Sequence, residues 1–396
     1  MTTPPLVTII GDGQLARMMH QAAIELGVTS RVLAGAPDSS AAQVTGQVEI
    51  GDYTQWEDVN AVSQGADAVT FDHEHVPNEF LDGLIEQGLN VQPQPTALIN
   101  AQDKLVMRKR LRELGMPVPP FMEITSVEDA REFHRATQGN VCLKARRGGY
   151  DGKGVWFPDN EEDTAELVAE LLDKGTPLMA EKKVQLVREL SAMVARRPSG
   201  ETVAWPVVES VQEDGICVEA IAPADNPSRA AELAVSIAEE LGVTGALAVE
   251  LFETRDEAGQ PEIIVNELAM RPHNTGHWTQ DGCVTSQFEQ HIRAVLDRPL
   301  GSTAMLAPHT VMSNVLGADF EPDTPIDARM DAVWRRFPQA KIHMYGKGWR
   351  PRRKMGHVNV TGESVEDIRR IARLCSHYIV TEQWADGWSE YRKAHR

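Results

Sequence analysis

Short apolar runs alternate with amphipathic segments along the first hundred residues of the chain. Leu6–Ile10 is an apolar run, a glycine turn follows it, and a helical pattern then extends to Gly27. Residues 31–33 and 68–71 are two further apolar runs with the length of strands. Such alternation predicts a parallel sheet with crossover helices.

The later elements are predicted from the same two patterns, short apolar runs for strands and amphipathic segments for helices. A helix is predicted from about Ala101 to Gly115, because its leucines recur at helical spacing and Pro117 follows the glycine. Further helices are predicted at 161–175, 228–241, 286–296 and from Ser364 onward. Strands are predicted at 141–143 and 155–157, repeatedly between 178 and 268, around Ala332, and at 341–345 and 357–360.

Charge and composition narrow the class of protein. The 396 residues carry 39 Lys and Arg against 58 Asp and Glu, for a formal net charge of -19. An acidic surface argues against nucleic-acid or anionic-membrane partners, since both need a cationic face. The four cysteines are far apart, the N-terminus lacks the features of a signal peptide, and no apolar run approaches the ~20 residues of a membrane helix. We therefore expect a soluble, reduced, cytoplasmic protein.

The glycine-rich segment between the strands at 141–143 and 155–157 is the first candidate for chemistry. It runs from Lys144 to Gly154 and holds four glycines and four cations, in an otherwise acidic chain. Glycine backbone N–H groups and cations together suit a polyphosphate. The segment lacks the G-x-x-x-x-G-K-[ST] spacing of a P-loop. A solvated basic hairpin is the alternative.

Two carboxylates favour the phosphate-binding interpretation. Glu250 and Glu267 each lie within an apolar strand, and the polar segment 254–260 between them is typical of a hairpin loop. Carboxylates on neighbouring apolar strands are costly unless something neutralises them. Mg²⁺, held by these carboxylates and by nucleotide phosphates, would do so. Alternatively, each carboxylate faces outward or pairs with an arginine.

Two polar clusters follow the second of these strands. Arg271, His273 and Asn274 offer hydrogen-bond donors for a small oxyanion and a group for proton transfer. The tail carries five cations within eight residues, from Lys347 to Lys354, and the acidic context favours a phosphomonoester as their partner. A polar turn and a solvated face are the respective alternatives.

The turn from Gly11 to Ala16 matches the G-x-G-x-x-G/A fingerprint after a strand and before a helix. A dinucleotide site also needs an acidic residue at the end of the second strand, and residues 31–35 offer none. NAD is therefore disfavoured. A monophosphate at the helix N-terminus would use the same turn without that acid.

At these motifs the chain resembles the ATP-grasp superfamily and, within it, the N5-carboxyaminoimidazole ribonucleotide synthetases. The resemblance spans nearly the whole chain in order. Its motifs are 11–18, 71–77, 102–104, 147–154, 188–191, 266–274 and 350–357, of which Gly-Gly-Tyr-Asp-Gly at 148–152 and Arg-Pro-His-Asn at 271–274 are highly specific.

The resemblance implies an α/β ATP-grasp fold in four sections. These are an N-terminal Rossmann-like (pre-ATP-grasp) domain with its linker helix (1–115), a small lid domain (116–180), a large domain (181–310) and a β-rich C-terminal subdomain (311–396). It also implies a homodimer. Asp12 departs from the glycine common at its position, and a carboxylate beside a phosphomonoester would repel it.

The resemblance also implies roles for individual residues. For ATP they are Lys104, Lys144, Gly148, Gly149, Tyr150, Asp151, Gly152, Lys153, Gly154, Glu181, Glu189, Asn266 and Glu267. For 5-aminoimidazole ribonucleotide they are Gln14, Leu15, Glu74, Tyr150, Asp151, Lys347, Arg353 and Lys354. The catalytic residues would be Arg271, His273, Asn274 and Lys354, with Glu250 and Glu267 holding Mg²⁺ or Mn²⁺.

The implied reaction is a two-step carboxylation in purine biosynthesis. Bicarbonate attacks the γ-phosphate of ATP, and the amine of 5-aminoimidazole ribonucleotide traps the carboxyphosphate or the CO₂ released from it. Three alternatives stay open from the residues alone: formate-dependent formylation of glycinamide ribonucleotide on the same fold, a non-catalytic nucleotide sensor, and a dehydrogenase.

Overall fold

A computed structural model describes residues 3–148, 153–227, 229–255 and 259–389 of the chain. Gly149, Tyr150, Asp151 and Gly152, for which the resemblance implies contacts with ATP or substrate, lie outside these described residues. No helix in the described ranges is long and apolar enough to cross a membrane.

The N-terminal section is a parallel sheet with helices packed against it, as predicted. Its elements are β1 (Leu6–Ile10), α1 (Gln14–Glu25), β2 (Thr29–Ala34), β3 (Gln47–Ile50), α2 (Trp56–Ser63), β4 (Ala68–Phe71), α3 (Asn78–Glu86), α4 (Pro95–Gln102) and α5 (Lys104–Glu113). The strand order is β3-β2-β1-β4, so β1 lies between β2 and β4. The carboxyl ends of β1 and β4 therefore meet at one edge, where ligands of such sheets bind.

The helix predicted from about 101 to 115 corresponds to α5, and its first two residues belong to the preceding helix, α4. Asp103 ends α4 and begins α5, because its carboxylate accepts hydrogen bonds from Leu105 N at 3.0 Å and Val106 N at 3.3 Å. A carboxylate in this N-cap position satisfies backbone donors that a continuing helix would bond internally. The chain changes direction there, and this change determines which side of α5 faces the later sheets.

The second section is an antiparallel sheet with two helices. It contains β5 (Phe121–Ile124), α6 (Val127–Ala136), β6 (Val141–Ala145), β7 (Val155–Trp156), α7 (Glu161–Asp173) and β8 (Leu178–Lys182). The strand order is β5-β8-β6-β7. Leu143 pairs with Trp156 and Lys144 with Val155, which confirms the predicted hairpin around the glycine-rich segment.

A large antiparallel sheet forms the rest of the molecule. Its first part is built from β9 (Arg188–Arg196), β10 (Thr202–Ala204), β11 (Val208–Glu213), β12 (Ile216–Ala222), α8 (Ala230–Glu240), β13 (Gly245–Arg255), β14 (Pro261–Ala269), a 3₁₀ turn (Asn274–Gly276), α9 (Thr279–Gly282) and α10 (Gln287–Val295). The second part adds β15 (His309–Leu316), α11 (Ile326–Arg336), β16 (Lys341–Met344), β17 (Lys354–Gly362) and α12 (Val365–Thr381). Within the described residues the order is β14-β13-β9-β11-β12-β15-β17-β16, and β10 pairs with β9.

The strand predicted around Ala332 is wrong, because that residue lies within α11. Ile326, Val333 and Phe337 pack against the same apolar cluster as α12. Their spacing of seven and four residues places them on one helical face. The short apolar run at 332–334 was too brief to distinguish a strand from this helix.

Candidate active site

One cleft of about 1670 Å³ brings the four sections of the chain together. With one exception, every candidate residue within the described ranges lines it: Gln14, Leu15, Glu74, Lys104, Lys144, Gly148, Lys153, Glu181, Glu189, Glu250, Asn266, Glu267, Arg271, His273, Asn274, Lys347, Arg353 and Lys354. Gly154 is the exception. Its carbonyl accepts a hydrogen bond from Ala145 N at 2.8 Å and closes the hairpin, so its observed part is structural.

The paired carboxylates meet across two strands. Glu250 of β13 and Glu267 of β14 are direct cross-strand partners, and Lys104 Nζ lies 2.5 Å from Glu267 Oε1. Burial, and after it the charge of Glu267, raises the pKa of Glu250 to about 8. A carboxylate pair in this situation is stabilised by a cation.

These two carboxylates fit Mg²⁺ as part of a ligand set. Among the described residues, no group of three His, Cys, Asp or Glu side chains is placed to hold a metal ion by itself. Mg²⁺ in nucleotide sites commonly takes one or two carboxylates, and phosphates and water supply the remaining ligands. Glu250 and Glu267 therefore suit an ion whose remaining ligands come from phosphates and water.

A buried ion group lies on the lid side of the cleft. Glu181 accepts from Arg108 Nε at 2.6 Å and faces Lys144 Nζ at 2.8 Å, and Arg108 also donates to the Asn266 carbonyl at 2.7 Å. Burial opposes ionisation of Glu181, but Arg108 and Lys144 prevail and lower its pKa to about 2. Lys144 thereby stays fixed beside Asn266, at 3.4 Å from its Oδ1.

The two arginines of the glycine-rich segment have structural partners. Arg146 donates to Asp103 at 2.9 Å and to Glu123 at 2.9 Å, and Arg147 Nε lies 3.1 Å from Asp103. The Arg146 carbonyl also accepts from Lys104 N at 2.9 Å. These contacts join the hairpin to the start of α5, so the segment's guanidinium charge is partly used for anchoring.

The loop after β14 is held rigidly over the carboxylates. Arg271 Nε lies 2.8 Å from Glu74 Oε2, and His273 Nε2 lies 3.4 Å from Glu250 Oε1. Gln287, a residue of α10, holds the loop through two hydrogen bonds. Its Oε1 accepts from His273 N at 2.7 Å, and its Nε2 donates to the His273 carbonyl at 2.8 Å. Burial and the nearby Arg271 lower the pKa of His273 well below its usual value, so the imidazole is neutral.

Asn274 follows directly on this loop and has unused hydrogen-bonding capacity. Within the described part of the chain, neither its amide nitrogen nor its amide oxygen has a hydrogen-bond partner, although the side chain is buried. Buried amides normally have partners. The side chain borders the cleft, so an oxyanion bound there could accept a hydrogen bond from its amide nitrogen.

The tail cations face the N-terminal helix across the cleft. Lys347 Nζ donates to Gln14 Oε1, and Arg353 Nη1 donates to the Gly348 carbonyl at 2.9 Å. Burial, followed by the neighbouring charge of Arg353, lowers the pKa of Lys347 to about 8. Lys354 begins β17 beside them. The arrangement presents several cations to the side of the cleft formed by Gln14.

The glycine turn before α1, where the sequence allows a monophosphate, holds a carboxylate of the protein. Asp72, the first residue after β4, places its Oδ2 2.6 Å from Gly13 N, the residue that caps α1. One backbone N–H at this helix N-terminus is thus already bonded to a side chain of the protein itself. Asp12 is also directed elsewhere: its Oδ2 accepts from Gly35 N at 2.9 Å, and it does not line the cleft.

Comparison with known proteins places the chain in a family. Residues 4–102 match the ribonucleotide synthetase preATP-grasp domain, residues 109–288 the ATP-grasp domain, and residues 310–371 the phosphoribosylaminoimidazole carboxylase C-terminal domain. The chain is 60% identical to the N5-carboxyaminoimidazole ribonucleotide synthase of Corynebacterium ammoniagenes, over 97% of this chain and 94% of that protein.

Solved structures agree with the sequence matches. The carboxyaminoimidazole ribonucleotide synthase of Aspergillus clavatus complexed with ATP is 30% identical, with a TM-score of 0.84 over 95% of this chain and 98% of that one. The N5-carboxyaminoimidazole synthase of the same organism, in complex with ADP and 5-aminoimidazole ribonucleotide, is 29% identical, with a TM-score of 0.84 over 96% of this chain and 99% of that one. The predicted ATP-grasp fold is confirmed, and the chain belongs to the N5-carboxyaminoimidazole ribonucleotide synthetase family of ATP-dependent ligases.

Proposed function

We propose that the cleft carboxylates 5-aminoimidazole ribonucleotide with bicarbonate at the expense of ATP, giving N5-carboxyaminoimidazole ribonucleotide, ADP and phosphate. The observation that carries the proposal is the convergence of three groups in one cleft. They are the Glu250–Glu267 pair, the buried Lys144–Glu181 pair and the loop that bears Arg271. Together they offer a cation site, a phosphate site and an oxyanion site within reach of one another.

The triphosphate would lie between the hairpin and β14. Lys104 and Lys144 supply charge to its phosphates, and Asn266 lies beside Lys144. Gly148 and Lys153, both within the glycine-rich segment, border the same space. Glu250 and Glu267 would hold Mg²⁺, with Mn²⁺ as a substitute. When bound, the ion neutralises phosphate charge and favours transfer of the γ-phosphoryl group.

Bicarbonate would bind beside the Arg271 loop. The guanidinium of Arg271 is oriented by Glu74, and the amide of Asn274 can donate to the same oxyanion. His273 is neutral and accepts at Nδ1 from Thr275 N at 3.4 Å, so its proton lies on Nε2, toward Glu250. Held in this way, bicarbonate oxygen is directed at the γ-phosphate, and attack yields carboxyphosphate and ADP.

The ribonucleotide would enter from the side of the N-terminal sheet. Its phosphate suits Lys347, Arg353 and Lys354, while Gln14, Leu15 and Glu74 line the adjoining wall. The exocyclic amine then meets the carboxyl group released from carboxyphosphate. Both carboxyphosphate and the product carbamate decompose in water. Closure of the glycine-rich segment over the cleft would therefore protect them.

The formylating alternative has less support. The C-terminal match at 310–371 is to a phosphoribosylaminoimidazole carboxylase domain, and that stretch includes the cations assigned to the ribonucleotide phosphate. A non-catalytic sensor is disfavoured because both carboxylates and Lys104, Lys144 and Lys153 are retained. A cytoplasmic location, expected from the composition, and a homodimer, implied by the resemblance, belong to the same proposal.

The proposed function is tested by ADP release from purified protein with MgATP, bicarbonate and 5-aminoimidazole ribonucleotide, each omitted in turn. We expect ADP release that needs all of them, with N5-carboxyaminoimidazole ribonucleotide formed in equal amount. ADP released instead with formate and glycinamide ribonucleotide would establish the sister activity. No ADP release under either condition would support the sensor.

The charge of Lys347 predicts a pH dependence for substrate capture. Its pKa of about 8 means that the cation is lost as the pH rises through 8, so kcat/KM for 5-aminoimidazole ribonucleotide should fall there by about tenfold. In Lys347→Arg the guanidinium stays charged, and the fall should move to higher pH. An unchanged alkaline limb in that variant would show that another group controls it. The profile for ATP provides the internal control.

A further inference from the structure

The glycine turn before α1 is shaped around a carboxylate of the protein. Asp72 leaves the end of β4 directly beside the end of β1, where Ile10 pairs with Phe71. A Cβ on Gly11 would lie 1.9 Å from Asp72 Oδ1, and a Cβ on Gly13 would lie 2.8 Å from Oδ2. Contacts below 3.0 Å do not occur, so both glycines are needed to admit this side chain.

The carboxylate occupies the position that a phosphate takes in dinucleotide-binding folds. Asp72 Oδ2 accepts from the N-cap N–H of α1 at 2.6 Å, and Asp72 is 8% exposed. An anion at a helix N-terminus is stabilised by the free N–H groups and the helix dipole. Asp72 Oδ2 therefore takes a donor that a bound anion would otherwise use.

The turn leads directly into a wall of the cleft. Gln14 is the first residue of α1, immediately after Gly13, and its side chain accepts from Lys347 Nζ. The Asp72–Gly13 hydrogen bond therefore fixes the backbone from which Gln14 reaches the tail cations. Leu15, the next residue, is buried against the N-terminal core and cannot compensate by moving.

We propose that Asp72 is a positioning residue for the ribonucleotide side of the cleft. By filling the glycine turn it holds Gln14 against Lys347 and directs the substrate's phosphate to the Lys347–Lys354 cations rather than to α1. This inference rests on the proposed function for the identity of the ribonucleotide. The glycines of the fingerprint then serve an internal carboxylate and not a bound nucleotide.

The test compares Asp72→Ala with the conservative Asp72→Asn, which keeps an oxygen able to accept from Gly13 N–H. In Asp72→Ala we expect KM for 5-aminoimidazole ribonucleotide to rise about ten- to a hundredfold, as for a buried N–H that loses its acceptor. KM for ATP should not change. Asp72→Asn should restore most of the wild-type KM, because the accepting oxygen and its volume remain.

Asp12→Ala is the matched control. It removes a carboxylate from the same turn that also caps a backbone N–H, that of Gly35, but on the side away from the cleft. Its KM for the ribonucleotide should equal that of the wild type. The proposal is overturned if Asp72→Ala leaves this KM unchanged, raises both KM values alike, or is matched by Asp12→Ala or Asp72→Asn.

Amide hydrogen exchange separates this inference from the proposed function. Exchange of the peptide spanning residues 11–19 should be faster in Asp72→Ala than in the wild type or Asp72→Asn, with no ligand present. If the wild type fails to turn over the ribonucleotide, the proposed function is lost. Faster exchange would then still support a positioning role for Asp72, and unchanged exchange would overturn it.

Discussion

Replacing Glu267 with Gln should abolish turnover while leaving the protein folded. The amide keeps the volume of the side chain but removes one of the two carboxylates proposed to hold Mg²⁺ beside the triphosphate. Loss of metal stabilisation of the developing charge is worth several kcal/mol, so we expect kcat to fall about a thousandfold. The variant should unfold at nearly the wild-type temperature, because losing the contact with Lys104 is offset by relief of repulsion with Glu250.

Glu262→Gln is the control for this prediction. Glu262 lies on the same strand, β14, but is exposed and outside the cleft, so its replacement should leave kcat unchanged. Steady-state kinetics measure kcat, and calorimetric titration with Mg²⁺ in the presence of ADP measures metal binding separately. Normal turnover in Glu267→Gln would refute the metal assignment. Lost turnover with unweakened Mg²⁺ binding would move Glu267 to another role.

The sequence predicted best what depends on neighbouring residues. The strands at Leu6–Ile10 and Ala68–Phe71 agree with the structure residue for residue, because an apolar run bounded by turn residues determines them locally. That Glu250 and Glu267 lie on neighbouring strands was also predictable, since a short polar segment joins the two strands. Their direct pairing was not, because it depends on a register shift between Glu250 and Leu251. Hairpins carry this information within about twenty residues of chain.

The sequence could not predict the partners that hold these groups in place. Arg108 and Glu181 are 73 residues apart, and Asp72 and Gly13 are 59 apart, so no local pattern connects them. A signal existed at Arg108: it lies three residues after Leu105 and three before Leu111, on the buried face of α5. A charged residue on an apolar helical face needs a partner, but the pattern does not identify which one. Asp72 lies within the motif at 71–77, but that motif does not identify Gly13 as its partner.

Replacing Arg108 with Met should be the most destabilising single change among those considered. Arg108 is 1% exposed and joins Glu181 at 2.6 Å to the Asn266 carbonyl at 2.7 Å. Its removal leaves the buried carboxylate of Glu181 with Lys144 and without Arg108, and takes the donor from the Asn266 carbonyl. Breaking a buried ion pair in this way costs about 3–5 kcal/mol. We expect the free energy of unfolding, measured by denaturant titration, to fall by that amount at neutral pH.

Arg110→Met provides a matched control on the same helix. Arg110 is about half exposed, and its ion pair with Glu113 spans 3.5 Å on the helix surface, so its loss should cost no more than about 0.5 kcal/mol. The pH dependence gives a second check. Because Glu181 has a pKa of about 2 in the folded protein, the stability it contributes is complete above its unfolded pKa and is lost as the pH falls toward 2.

Wild-type protein should therefore lose stability between pH 4.5 and 2 more steeply than Arg108→Met, in which the pKa of Glu181 is no longer held down by Arg108. The two variants together decide whether the ion group is a structural requirement of the nucleotide side of the cleft. If Arg108→Met costs no more than Arg110→Met, the carboxylate of Glu181 is satisfied by Lys144 alone, and Lys144 would then be less available to a phosphate. A large loss in the free energy of unfolding, together with a shallower pH dependence of stability in acid, would mean that Arg108 neutralises Glu181. The charge of Lys144 is then left for the nucleotide.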